Sequence, residues 1–139
     1  MIMKSKQVLS VEQMKHLQEL GLDTSDGSMC WCYALSYNNA KWELEIYEDV
    51  INQKRDSAFW EIIPTYTLQD ILDKLPTLII ISSDFYKICI ESSCGYWDIY
   101  YYKSDATELI SKKSENIIDV AYDMLCWCIE NGYVEKEGK

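Results

Sequence analysis

The segment FYKICIESSCGYWDIYYYK, residues 85–103, predicts a β-hairpin. Its two halves are rich in isoleucine and tyrosine, which favour strands. Between the halves, residues 92–95 end in Gly95, and glycine tolerates the backbone angles of a tight turn. Two strands that are joined by such a turn pair antiparallel. The hairpin therefore indicates an antiparallel sheet in the second half of the chain.

Three helices are predicted around this hairpin, spanning residues 10–20, 67–75 and 114–131. Ser10 and Gln13 match a capping box at the start of the first helix. Thr67 is a cap for the second helix, and the proline at position 76 stops it. The third helix is predicted to begin at a cap, Ser114, and to end before Gly132.

Further strands are predicted at residues 29–35, 41–48 and 78–82, beside the two strands of the hairpin at 85–91 and 96–103. In the segment 41–48, Trp42, Leu44 and Ile46 alternate with polar side chains, which predicts one apolar face. Helices and strands do not alternate regularly along the chain, as they would around a parallel sheet. The order predicts an α+β fold: a mostly antiparallel sheet of about four to five strands, covered by a long C-terminal helix.

The length of 139 residues suits one hydrophobic core, and no Pro-rich, Gly-rich or singly charged segment divides the chain. We therefore predict a single globular domain over residues 1–139. The N-terminal 20 residues lack the apolar core of an export signal, and the longest aliphatic run has four residues. These features predict a cytoplasmic protein without a membrane-spanning segment.

The chain is acidic, with 13 basic and 23 acidic residues and a formal net charge of -10. Arg55 is its one arginine. Proteins that bind nucleic acids neutralise phosphates with Lys and Arg, and anionic membranes attract the same side chains. The charge balance argues against both classes of partner and leaves a basic protein partner open.

Six cysteines occur, and the tripeptide Cys-Trp-Cys appears twice, at 30–32 and at 126–128. Without an export signal the thiols are expected to be reduced and to act as small apolar side chains. The spacings match no known zinc motif, so we predict neither a metal nor another cofactor, and a zinc or redox role of the two Cys-x-Cys pairs is the alternative. Positions two apart share a face of a strand but lie about 200° apart on a helix. Cys128 is therefore predicted to face the core, whereas Cys126 lies nearer solvent.

Catalytic residues are not predicted. The one histidine, His16, lies on the first helix, no nucleophile elbow occurs, and the five glycines are too scattered for a phosphate-binding loop. Carboxylates are abundant, but a pair that acts as acid and base needs a cleft that a sequence cannot reveal. A small carboxylate-based hydrolase is therefore a weaker hypothesis for the function than a protein that acts by binding a partner.

Two surfaces are candidates for interaction with a partner. Helical spacing places Glu115, Asp119, Asp123 and Glu130 on one side of the last helix. Tyr100 and Tyr102 share one face of a strand, and tyrosine is enriched in binding surfaces. Both features also fit an ordinary solvated helix face and ordinary cross-strand pairing.

Three segments resemble a group of short acidic proteins of unknown function that are encoded by bacterial phages and integrated mobile elements. The segments are SVEQ at 10–13 with LGLD at 20–23, TLQDILDKLP at 67–76, and IDVAYDMLCWCIENGY at 118–133. The resemblance implies an accessory protein of a mobile element, with no catalytic residue to transfer.

Together these features favour a non-enzymatic protein-interaction module. The alternative is an acidic decoy that imitates nucleic acid toward a host defence or regulatory protein. Both hypotheses involve a protein partner, and the sequence leaves the oligomeric state open.

Overall fold

A computed structural model describes residues 6–136. In chain order the elements are α1 Val11–Glu19, β1 Met29–Ala34, β2 Glu43–Ile46, α2 Tyr47–Gln53, β3 Trp60–Thr65, α3 Leu68–Lys74, β4 Leu78–Ile81, β5 Asp84–Ser93, β6 Tyr96–Tyr102, β7 Glu108–Ser114 and α4 Ile117–Glu130. The predicted α+β class with antiparallel pairing and a long C-terminal helix is confirmed.

Four strands form one antiparallel sheet in the order β4-β5-β6-β7. The predicted hairpin lies at its centre, where β5 and β6 pair from Lys87 with Tyr102 to Ser93 with Tyr96. Cys94 and Gly95 form the turn, with φ of 54° and 84°. Positive φ at both central residues gives a turn whose twist matches that of the flanking strands.

The other three strands form a second antiparallel sheet in the order β2-β1-β3. The strands are therefore divided between two sheets, whereas the sequence predicted one. β3 was not predicted, because Pro64 interrupts a short strand-like run. The structure accommodates Pro64 because β3 lies at the edge of its sheet, where a missing N–H breaks no ladder.

A large core lies between the four-stranded sheet and the helices. α4 packs against β6, β7 and α3, and α1 packs against β3. Eight of the 14 residues of α4 are buried, far more than one narrow stripe of a surface helix. Fully buried core side chains include Met14, Leu17, Ile71, Ile79, Ile99, Tyr101, Met124 and Leu125.

The predicted caps of the first two helices are confirmed. Gln13 N donates to Ser10 Oγ at 3.1 Å, and Ser10 N donates to Gln13 Oε1 at 3.0 Å. Thr67 forms the same reciprocal pair of hydrogen bonds with Asp70.

The predicted cap of α4 is wrong. β7 continues to Ser114, and the N-cap is Asn116, whose Oδ1 accepts a hydrogen bond from Ile118 N at 3.1 Å. Ser114 Oγ instead accepts from Asn116 N, so it shapes the turn before the helix. Ser and Asn both favour turns and helix caps, so the local sequence does not show which of the two residues caps α4. The pairing of β7 with β6 extends the strand to Ser114 and leaves Asn116 as the cap.

The strand predicted at residues 41–48 is shorter at both ends in the structure, and the prediction of its apolar face is wrong at Ile46. β2 ends at Ile46, and α2 begins at Tyr47. Ile46 is exposed, whereas Glu45 is half-buried because both its carboxylate oxygens accept hydrogen bonds from Arg55. This ion pair overrides the alternation of apolar and polar side chains.

β7 and α2 were not predicted. The sequence of β7, ELISKKS, lacks an apolar alternation, and α2 buries only Val50. Within residues 6–136, no helix is long and apolar enough to cross a membrane.

Candidate functional site

Apolar side chains are exposed on the side of the four-stranded sheet that faces away from α4. Along β6, Ile99 and Tyr101 point into the core, so Tyr100 and Tyr102 point outward. Cross-strand pairing shows which neighbours share that side. We call this surface the outer sheet face, and it comprises Leu78, Ile80, Phe85, Lys87, Cys89, Tyr100 and Tyr102.

The edge of this face is its most exposed part. Ile80 pairs with Phe85 across β4 and β5, and each side chain is 56% exposed. Leu78 is also exposed. β4 is an edge strand, and among residues 6–136 no strand pairs with the outer row of its backbone N–H and C=O groups. Edge strands usually carry charges or proline, yet β4 has the sequence LIII.

The two predicted tyrosines extend the outer sheet face toward the sheet centre. Their rings lie 5.6 Å apart and are tilted by 53°. Tyr100 donates its hydroxyl to a carboxylate oxygen of Glu91. Hydrogen bonds with Cys89 and then Glu91 raise the pKa of Tyr100. Both tyrosines are only half-buried, so they present ring surface to solvent while their orientation is held.

Charged side chains border this face at the far end of β5 and β6. Glu91 pairs directly with Asp98, which in turn pairs with Lys113 on β7. Ser111 Oγ donates to Asp98 Oδ1 at 2.8 Å. The border is therefore polar, as at the rim of many protein interfaces, and Lys87 is a charged residue within the mainly apolar face itself.

The acidic residues predicted near the last helix do not form a continuous free row. Glu115 precedes α4, and Asp119 Oδ1 accepts hydrogen bonds from Lys6 Nζ and Gln13 Nε2, both at 3.0 Å. Asp123 and Glu130 are exposed. Lys6 thus neutralises the second of the four carboxylates.

Asp119 and Asp123 differ in their electrostatics although both lie on α4. Partial burial opposes ionisation of Asp119, but the hydrogen bonds from Gln13 and Lys6 outweigh it and lower its pKa. Partial desolvation raises the pKa of Asp123; the charge of Lys112 offsets part of this effect, and the charge of Asp119 makes a smaller raising contribution.

The position of Cys126 departs from the helical-wheel prediction. Cys126 is 8% exposed and Cys128 is 0% exposed, so the predicted order holds but both thiols are buried. Burial raises the pKa of each thiol to about 11. A helical wheel with one buried side and one exposed side does not describe α4, because the four-stranded sheet and α3 both pack against this helix.

His16 lies on the exposed side of α1, as the sequence predicted for an ordinary helix histidine. Its Nδ1 is 3.8 Å from a carboxylate oxygen of Glu19, and its ring lies 6.3 Å from the ring of Tyr122.

One surface cavity of about 460 Å³ contains several carboxylates, including Asp23, Asp26 and Asp73. Lys74 forms an ion pair with Asp26, and Tyr66 donates its hydroxyl to Asp26 at 2.8 Å. A hydrogen bond from Ser25 N lowers the pKa of Asp23. A general acid for hydrolysis requires a raised carboxyl pKa, so Asp23 has the opposite property.

A second small core was missed by the sequence analysis. It contains Cys30, Cys32 and Val50, and Tyr47, Trp60 and Ile62 pack around it. The two Sγ atoms lie 3.6 Å apart. Burial raises the pKa of Cys30, and burial together with the neighbouring thiol and Glu45 raises that of Cys32 more strongly. The signal in the sequence was the i, i+2 spacing on a strand.

Arg55 closes this core on one side. Its two terminal nitrogens each donate to a different oxygen of Glu45 at 2.7 Å, and its guanidinium lies 4.4 Å from the centre of the Trp60 ring. Such a two-point ion pair lowers the pKa of Glu45. The one arginine of the chain therefore makes its ion pair and its ring contact within the fold.

Within the described part of the chain, no group of three or more His, Cys, Asp or Glu side chains could hold a metal ion. Comparisons with known protein families, with curated proteins and with solved structures found no significant match to this chain. Its function must therefore be inferred from the surfaces described above.

Proposed function

We propose that this protein is a non-enzymatic interaction module that binds a protein partner through the outer sheet face. The observation that carries the proposal is the pair Ile80 and Phe85, both more than half exposed on neighbouring strands at an open sheet edge. Single exposed apolar residues are common on soluble proteins, but a contiguous group on one face marks an interaction site.

The chemistry of the face suggests what kind of partner it fits. Leu78, Ile80 and Phe85 supply apolar area, and Tyr100 and Tyr102 supply rings that lose little side-chain entropy on binding. Glu91 and Asp98 lie at the border, where they would favour basic side chains. A partner segment with apolar residues at its centre and a Lys or Arg at one end complements this arrangement.

The resemblance of three segments to short acidic proteins of phages and mobile elements supports an accessory role in such an element. In that setting the partner is a protein of the element or of its host. The net charge of -10 favours encounter with a basic partner over one that is also acidic.

A photo-crosslinking amino acid at position 85 tests the proposal directly. The matched control is position 51 on α2, because Ile51 is 55% exposed and Phe85 is 56% exposed. In extract from the organism that carries the gene, we expect a discrete crosslinked product from position 85 and none from position 51. Equal products from the two positions, or none from position 85, would refute the proposal.

A third crosslinking position separates the decoy hypothesis from this one. A decoy that imitates nucleic acid uses the carboxylates near α4, so its partner should crosslink to position 123. In the proposed mode, position 123 remains uncrosslinked, because Asp123 lies on α4 and α4 covers the opposite side of the sheet. The substitution Phe85→Glu should then abolish capture of the partner, whereas Ile51→Glu should leave it intact.

A further inference from the structure

The two Cys-Trp-Cys tripeptides have different geometries in the fold. On β1, Cys30 and Cys32 point to the same side of the strand, with their sulfurs 3.6 Å apart. On α4, Cys126 and Cys128 project about 200° apart around the helix axis, so their sulfurs face different neighbours. The same three residues thus form a close pair of thiols in one place and two separate thiols in the other.

The separation of the sulfurs on β1 matches what a metal ion requires. Two sulfurs bound to one tetrahedral ion at about 2.3 Å lie about 3.8 Å from each other. The observed 3.6 Å is close to this value, so both sulfurs could bind one ion with little movement of the strand. Pairing with β2 on one side and β3 on the other holds β1 in place.

A path to Cys32 is also present. Cys32 lines a cavity of about 470 Å³ together with Trp60, Tyr37, Lys41 and Glu43. The cavity is open to solvent at the exposed side chain of Tyr37. An ion in the cavity would therefore meet Cys32 first, and the sulfur of Cys30 lies 3.6 Å from that of Cys32.

The neighbouring carboxylate does not compete for this role. Glu45 pairs with Cys30 across the sheet, but both its oxygens are engaged by Arg55 at 2.7 Å. The site therefore offers two sulfur ligands and leaves the remaining coordination positions to oxygen donors, namely water and the carboxylate of Glu43, which pairs with Cys32 and lines the same cavity. Sulfur ligands select soft ions over magnesium and calcium.

We propose that Cys30 and Cys32 form a two-sulfur binding site for a thiophilic divalent cation that enters through the cavity beside Cys32. On binding, each thiol releases its proton to solvent and two metal–sulfur bonds form. The ion keeps its oxidation state and exchanges two of its waters for the two thiolates. This site lies on the three-stranded sheet, so it does not depend on the partner surface proposed above.

Cadmium ion is a suitable probe, because its bonds to thiolate absorb in the near ultraviolet. The reduced full-length protein is titrated with Cd²⁺, and X-ray absorption counts the sulfur neighbours of the bound ion. We expect one bound ion with two sulfur neighbours and additional oxygen neighbours. C30S and C32S should each bind the ion at least about tenfold more weakly, since even the loss of an outer-shell contact costs that much.

The second tripeptide provides the matched control. C126S and C128S remove thiols of the same sequence context, and we expect both to bind Cd²⁺ like the unmodified chain. The pair C89S and C94S controls for the more accessible thiols in the same way. Circular dichroism establishes which variants are folded.

Three outcomes would overturn the proposal. The first is that the protein binds no ion at equimolar Cd²⁺. The second is that the bound ion has a number of sulfur neighbours other than two. The third is that C126S or C128S loses Cd²⁺ binding while C30S retains it. The sulfur count is measured on the unmodified chain, so it decides the question even where a variant does not fold.

Discussion

Truncation of Ile99 tests whether the inner side of the four-stranded sheet forms the main core. Ile99 on β6 is 0% exposed, and its cross-strand partner Ile90 on β5 is 38% exposed. The two isoleucines therefore differ in burial but share residue type, sheet and register. Ile99→Ala and Ile90→Ala remove the same atoms from the two environments.

The expected cost follows from burial. Ile99→Ala removes three carbon atoms at about 0.8 kcal/mol each. A cavity term adds to this, because the surrounding α4 and sheet cannot fully collapse, for a total of about 3–4 kcal/mol. At Ile90 more than a third of the side chain is already in water and no closed cavity forms, so the expected loss is about 1–1.5 kcal/mol.

Urea denaturation followed by circular dichroism measures both changes in the free energy of unfolding. The slope with denaturant should be unchanged, so that the midpoints report stability. A domain of this size is typically stable by about 5–15 kcal/mol, so both variants should still fold. Equal losses in the two variants, or a larger loss for Ile90→Ala, would refute the assignment of Ile99 to the core.

Four further changes have expected outcomes that can be measured. Asp119→Asn should lower stability at pH 7, because a lowered folded pKa contributes stability that is present above the unfolded pKa and lost as the pH falls through the folded pKa. Asp123→Asn should raise stability at pH 7, because its folded pKa is raised. Gly27→Ala should cost about 1–3 kcal/mol, since an added Cβ would lie 2.7 Å from the carbonyl oxygen of Thr65. In the native state a thiol reagent should modify exposed Cys94 well before buried Cys126, as mass spectrometry of timed samples would show.

These predictions have internal controls. The two Asp→Asn variants remove the same charge from one helix, so equal shifts in their melting temperatures across pH 2–7 would contradict the opposite pKa directions. Gly132 has open space at its Cβ position, although its φ of 80° favours glycine. Gly132→Ala therefore measures backbone strain alone and serves as a comparison for Gly27→Ala. Rapid modification of Cys126 in the folded protein would contradict its burial.

The sequence predicted the elements whose signals are local. The capping boxes at Ser10 and Thr67 depend on residues three positions apart, and the hairpin turn depends on Gly95 and its neighbours. Such signals act within one helical turn or one reverse turn, so the rest of the chain changes them little. Elements with weak local signals, such as α2 and β7, were missed for the same reason.

The candidate surfaces were predicted only in part. Alternation along β6 placed Tyr100 and Tyr102 on one side of a strand, and that side is the outer sheet face. Leu78, Ile80 and Phe85 were not singled out, because their exposure depends on β4 being an edge strand. The acidic residues were placed on α4 without Lys6, which reaches Asp119 from a position 113 residues earlier in the chain.

The amino-acid sequence by itself determined the α+β class, the antiparallel hairpin, two of the four helix starts and the acidic character of the surface. Periodicity, capping and turn chemistry act between near neighbours, and charge is a sum over residues. Only the tertiary structure decided that the strands form two sheets, that Cys126 is buried and that the sulfurs of Cys30 and Cys32 lie 3.6 Å apart beside a cavity. Each of these depends on which distant segments pack together, and that packing minimises exposed apolar area over the whole chain.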